Sequence, residues 1–229
     1  MKLIHPWIIT TYLANLSLSC EISNFRELID FESIKVETNK ILNDHELLSH
    51  PGNHDGGWNG ISLIAYGGDP NNTAVKDQKP TETFLLEKCP SIKKLLYSLP
   101  GKKHRVRFLE VKPGKKVFWH FDNGETIDNF DYSKNARFHM PIYTNKNVLF
   151  KISHEKLEWE EGKIYYGDFS FPHTIHNKSN ENRVHLIIDL QINDELISNF
   201  PKKFLDSRKK RLFFKKFCQR SLNLFKKLN

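Results

Sequence analysis

The chain has 229 residues, enough for one full-sized domain with its own core and too few for two large ones. Apolar residues make up 38% and aromatic residues 12%, which excludes a disordered chain, and no apolar run approaches the ~18 residues of a membrane span. The formal net charge of +8 is confined to one end: residues 201–229 hold eleven of the 35 basic residues and one of the 27 acids, leaving the remainder slightly acidic, unlike a nucleic-acid-binding fold with a basic main surface.

At the N-terminus, Trp7 to Leu18 is mostly apolar. It is broken by Thr10, Thr11, Asn15 and Ser17, and no small-x-small cleavage site follows. A strand or helix packed on the domain is expected there rather than a secretory signal. The three Cys (Cys20, Cys89, Cys218) lie far apart with no CxxC, which excludes a disulfide scaffold or a Cys-based zinc cluster and points to a reducing, cytoplasmic setting. Residues 21–50 carry apolar side chains at helical spacing (Phe25, Leu28, Ile29, Ile34, then Ile41, Leu42, Leu48) and predict one or two helices. Residues 51–60 read as a Gly-rich loop, Ile61–Tyr66 as a short strand, and Asp69–Pro80 as polar loop. Ile92, Leu95, Leu96 and Leu99 predict a helix over Pro90–Leu99.

From His104 the texture changes. Short β-rich runs follow one another: Val106–Val111, Lys116–Phe121, Arg137–Tyr143, Val148–Ser153, Lys163–Tyr166, His173–Asn177 and Arg183–Ile192. Turns are marked by Pro113-Gly114, Asn123-Gly124 and Glu161-Gly162. This is the spacing of an all-β sandwich or barrel. The fold class is therefore α+β: helices first, then a jelly-roll, cupin-like core over about 104–192, within one domain spanning 1–200. Residues 201–229 form a basic amphipathic C-terminal helix.

His120-Phe121-Asp122 ends one predicted strand, and alternate strand residues share a face. His173 opens a later strand. Two imidazoles and one carboxylate are the facial triad of a non-haem Fe(II) oxygenase. About one His-x-acid pair arises by chance at this composition, so the pair alone means little. What strengthens it is Arg183, ten residues after His173, sharing a strand face with His185 among apolar neighbours, and the similar run Arg137-Phe138-His139. An arginine inside a barrel is costly unless it meets an anion. Either internal carboxylates pair with these arginines, or a small dicarboxylate fills the barrel, with Arg183 on its far carboxylate and His139 and Arg137 at its near end.

These blocks together resemble the aspartyl/asparaginyl β-hydroxylase family of Fe(II)- and 2-oxoglutarate-dependent dioxygenases. The matching runs, in order, are Lys112-Pro113-Gly114 to His120-Phe121-Asp122, Arg137-Phe138-His139-Met140-Pro141-Ile142, Gly162-Lys163, Asp168-Phe169-Ser170-Phe171-Pro172-His173, Asn177, and Arg183 to Asp189. The resemblance implies a double-stranded β-helix. It implies that His120, Asp122 and His173 bind iron, that Arg183 anchors the far carboxylate of 2-oxoglutarate, and that His139 contacts the cosubstrate near the metal. Arg137 is assigned to the cosubstrate or to a substrate carboxylate. Some family members lack the triad acid, so Asp122 completes the set here. His176 should face away from the metal by strand parity, and Asp168 reads as a turn acid. The implied reaction consumes O2 and 2-oxoglutarate, releases succinate and CO2, and converts a substrate C–H to C–OH.

The substrate expected from the resemblance is an Asp- or Asn-type residue in a polypeptide, with a free amino acid such as proline as the alternative. A cupin-like binding protein without turnover is the rival from another class, and Arg183 speaks against it, because a metal store needs no buried arginine. Asn123–Ala136 and Gly56–Gly60 are candidate walls of the site mouth. Three readings stay open for the 201–229 tail: a helix packed on the domain, a peripheral membrane contact, or an acidic or nucleic-acid partner.

Overall fold

The computed structural model describes residues 5–71, 78–122 and 126–228. The Asn123-Gly124 turn and part of the 69–80 loop lie outside the described residues. In chain order the elements are α1 (Pro6–Leu13), β1 (Ser19–Glu21), α2 (Phe31–Asp44), β2 (Leu48–Ser49), β3 (Trp58–Tyr66), β4 (Pro80–Glu82), α3 (Pro90–Ser98), β5 (Lys103–Val111), β6 (Lys116–His120), β7 (Asn135–Tyr143), β8 (Val148–Ile152), β9 (Glu155–Lys156), β10 (Tyr165–Gly167), β11 (His173–Asn177), β12 (Arg183–Gln191), α4 (Asp194–Ser198), α5 (Lys202–Asp206) and α6 (Arg208–Leu228).

Local chemistry sets the helix starts. The Asp30 carboxylate accepts the Ser33 amide at the head of α2. Pro90 opens α3, and Glu37 of α2 accepts the amides of Ser91 and Ile92 at 2.7 and 3.0 Å, tying the two helices together. The expected turn at Glu161-Gly162 is present: Gly162 has φ +76°, and a Cβ there would lie 2.8 Å from the Phe31 ring, so only glycine fits.

Among the described residues the strands form two antiparallel sheets. The larger runs β1-β10-β7-β12-β5-β3-β2, with β4 beside β3; the smaller runs β6-β11-β8-β9. They close around a shared interior holding Val111, Val117, Phe150, Ile152, Phe169 and Ile175. This is the expected double-stranded β-helix. The alternation of β12 shows how it works. Val184, Leu186, Ile188 and Leu190 join the core beneath the helices, while Arg183, His185 and Asp189 take the opposite parity. Each buried aliphatic or aromatic side chain contributes about 1.5–3 kcal/mol, and that face holds the strand in register against any one-residue slip.

The β-structure reaches further back than 104. β3 lies in the larger sheet beside β5 from Trp58 to Ile64, and β1 extends it at the other edge. The sequence predicts a strand over Ile61–Tyr66 but starts the β core at 104, because β1 has only three residues and the pairing of β3 with β5 is not a local feature. The N-terminus forms both a helix and a strand. For the tail, the packed helix is observed: Arg211, Cys218 and Leu222 of α6 are buried against α1 and the loops. Arg211 is fully enclosed and grips Asp128 through two bonds of 2.7 and 2.8 Å. No described helix is long and apolar enough to cross a membrane.

Candidate active site

His120 ends β6, and His173 begins β11 directly across from it in the antiparallel ladder. The pairing brings two residues 53 apart in sequence to ring centroids 4.1 Å apart. His120 Nδ1 lies 2.8 Å from the Phe118 carbonyl and His173 Nδ1 lies 3.0 Å from the Phe171 carbonyl. A carbonyl only accepts, so both Nδ1 atoms carry the proton and both Nε2 lone pairs are left for a metal. Two residues past His120, Asp122 is fixed by its backbone N–H, which donates to the Phe169 carbonyl at 2.8 Å. One donor atom from each of His120, Asp122 and His173 falls within 4.8 Å of the others. Burial, and then His120, bring His173 down to about 3; burial also lowers His120. Both are thus neutral imidazoles at ordinary pH, the form that ligates. The donor set suits Fe(II) and leaves positions open.

Arg137 points at this triad. Its Nη1 donates to Asp122, and its Nε and Nη2 donate to Asp189 at 2.8 and 3.2 Å. Asp189 also accepts Arg107 at 3.1 Å and pairs with Arg105 at 3.3 Å. Burial alone would raise the Asp189 carboxyl; the guanidiniums of Arg137, Arg107 and Arg105 outweigh it and hold the group well below the usual carboxylate range. Arg137 therefore orients the metal carboxylate, a role not read from the sequence. It contacts two protein carboxylates and also lines the cavity in which a cosubstrate or substrate contact is expected.

On the opposite side of the triad, Arg183 is 1% exposed. No acid among the described residues sits against it, and burial pulls it down to about 9. Its Nη2 donates to His185 Nδ1 at 2.8 Å, and its guanidinium lies 4.9 Å over Phe150. Since Arg can only donate, His185 Nδ1 is an acceptor. His139 Nδ1, 3.3 Å away, must then donate to it, leaving His139 Nε2 bare. Among the described residues, that nitrogen and Arg183 Nε are both buried without a hydrogen-bond partner. Burial, then Arg183, keep both histidines neutral.

A cavity of about 250 Å³ connects these groups, running from His120, Asp122 and His173 to His139, Phe150 and Arg183. An unpaired, buried guanidinium at one end and three metal donors at the other fit a dicarboxylate that chelates iron and reaches back to Arg183. All six residues singled out from the sequence thus line one cavity.

His176 is outside the triad, as parity required. Asp168 is no ligand, but it is not an ordinary turn acid either. It is fully buried, held by Ser170 and Thr126, and 3.8 Å from Arg211. No described residue of 126–136 lines the cavity: Asp128 is fastened to α6 instead. Of the Gly-rich loop, Trp58 does line it, its ring tilted 31° against that of His50 at 4.1 Å; burial and Arg107 lower His50 to about 3. His50, Arg105, Arg107 and Asp189 went unread in the sequence. The Arg105-x-Arg107 spacing, two cations on one face of a buried strand, was the available signal.

The aspartyl/asparaginyl beta-hydroxylase family profile matches residues 28–192. No curated protein matches the chain. Among solved structures, a prolyl hydroxylase from Trichoplax adhaerens, in complex with a hypoxia inducible factor oxygen degradation domain peptide fragment, is 12% identical with TM-score 0.47, covering 84% of this chain and 95% of that one. The viral collagen prolyl hydroxylase of Paramecium Bursaria Chlorella virus-1, in its 2OG complex, is 10% identical with TM-score 0.43, covering 75% and 93%. A Pseudomonas putida prolyl-4-hydroxylase is 10% identical with TM-score 0.39, covering 72% and 90%. The matched span runs from just before α2 to the end of the last core strand and contains the triad, Arg183 and the whole cavity. The chain belongs to the aspartyl/asparaginyl beta-hydroxylase family and is an Fe(II)- and 2-oxoglutarate-dependent hydroxylase.

Proposed function

We propose that this hydroxylase acts on a C–H of an Asp- or Asn-type residue within a polypeptide. One observation carries the choice: the charge of the described cavity wall. Four arginines line it (Arg105, Arg107, Arg137 and Arg183) against the lining acid Asp122 and the buried Asp189 behind Arg105, Arg107 and Arg137, which leaves an excess of two positive charges. A side-chain carboxylate or amide oxygen suits such a wall. A free amino acid would also bring an ammonium group, and it would have to lie against guanidiniums.

Bound Fe(II) with 2-oxoglutarate and O2 supplies the oxidising chemistry. The chain does the rest. His120, Asp122 and His173 hold the metal. Arg183 fixes the far carboxylate of the cosubstrate, and the aromatic wall of Phe150 and Phe169 keeps water from that end. Arg137 keeps Asp122 aimed, and Trp58 with His50 forms part of the cavity wall.

The test is incubation of the protein with Fe(II), 2-oxoglutarate and air against Asp- and Asn-containing peptides and against free amino acids. Peptides should gain the mass of one oxygen with matching succinate. Hydroxylation of free proline with untouched peptides would overturn the reading.

A further inference from the structure

The outward face of α6 is not explained by the active site or by packing. Its inner face is accounted for: Arg211, Cys218 and Leu222 are buried, and Phe225 packs against His5 and Trp7. Four large apolar residues remain outside. Phe213, Phe217, Leu224 and Leu228 are 77%, 52%, 62% and 83% exposed. Their spacing of four, seven and four puts them on one stripe, about 22 Å long at 1.5 Å per residue. Exposed cations flank it: Lys209, Lys216, Arg220 and Lys227 on one side and Lys210 on the other. α1, which packs on α6, leaves Ile9, Tyr12 and Leu13 exposed as well. One acid, Asp206, lies in the whole 201–229 segment.

We propose that this face docks the enzyme on an anionic lipid bilayer. The helix would lie in the interface plane, with the Phe and Leu stripe in the acyl boundary and the lysines at the headgroups. A bilayer surface satisfies both halves of the pattern at once. Single-stranded nucleic acid would stack on the phenylalanines, but it gives Leu224, Leu228, Ile9 and Leu13 nothing to bind. An acidic protein would pair the cations and need a matching groove for the stripe between them. The inner face is already used by the fold, so docking needs no unfolding of α6.

The experiment is co-sedimentation of the full chain with vesicles of phosphatidylcholine alone, and of phosphatidylcholine with a phosphatidylserine minority, at low and physiological salt. The protein should bind the anionic vesicles, weaken with salt, and ignore the neutral ones. Lys209→Gln/Lys216→Gln/Lys227→Gln should lose on the order of a hundredfold, at roughly 1 kcal/mol per cation and tenfold per 1.4 kcal/mol. Phe213→Ser/Phe217→Ser/Leu224→Ser should abolish binding with the melting temperature unchanged, because all three side chains are exposed. No binding to anionic vesicles at low salt overturns the proposal. So does full-strength binding by the Ser variant, or tight binding to an oligonucleotide with none to vesicles.

Discussion

Arg183 is a cation buried beside two neutral histidines with no acid among the described residues against it, an arrangement that costs stability until an anion arrives. Three outcomes are expected of Arg183→Met. The apparent KM for 2-oxoglutarate should rise at least a hundredfold, about 3 kcal/mol or more, with Fe(II) affinity nearly unchanged. Without cosubstrate, the variant should melt at the same temperature as wild type or higher, because a lone buried charge has gone. Added 2-oxoglutarate should then stabilise wild type and not the variant, as followed by calorimetry. Arg137 should behave differently. It holds a metal carboxylate, so Arg137→Met should cost about 10–100-fold in Fe(II) affinity, the usual price of losing a partner behind a metal ligand, with partial rescue by Lys. Metal titration followed by a separate 2-oxoglutarate titration distinguishes the two arginines. Strand parity puts His120 and Asp122 on one face from the sequence alone, whereas the roles of His173, His139 and Arg183 rest on the ordered resemblance to the family. The partner of Arg137 was not legible: Asp189 reaches it only through β12 lying beside β7, a register no local pattern encodes.

The C-terminal helix is where element-level packing changes the reading of charge. In sequence, Arg211 is one of eleven cations; in the fold, it enters the core and holds Asp128 beside Asp168. Arg211→Met should destabilise the protein by about 3–5 kcal/mol, since it leaves buried carboxylates without their cation; urea unfolding measures it. Truncation before Arg208 should do at least as much damage. The Asp168 carboxyl is pushed up to about 7, by burial first and Asp128 second, against the pull of Ser170 and Arg211. The unfolded chain releases this proton near 3.9, whereas the folded protein holds it to about 7. This group's contribution therefore makes stability fall as pH rises from about 4 to about 7, and level off above. Asp168→Asn removes that slope. The variant should gain on wild type between pH 5 and pH 8 in parallel urea titrations, and an equal difference at both pH values would contradict the assignment.

At the scale of the whole molecule, two curved sheets put a cationic cavity between them and helices on the far side of the larger one. The order of strands along the chain was readable because turns and short β-rich runs are local features. Membership of β1 and β3 in the larger sheet was not, since it depends on pairings across more than forty residues. The central claim is that one cavity holds Fe(II) at His120, Asp122 and His173 and the far end of 2-oxoglutarate at Arg183. Its most direct test is anaerobic titration of the protein with Fe(II) and 2-oxoglutarate, followed in the visible for the metal-to-ligand charge-transfer band of the chelate. Wild type should develop the band, saturating at one equivalent; His173→Ala should not, and Arg183→Met should develop it only at far higher 2-oxoglutarate. Absence of the band in wild type, or an undiminished band in His173→Ala, would contradict the account.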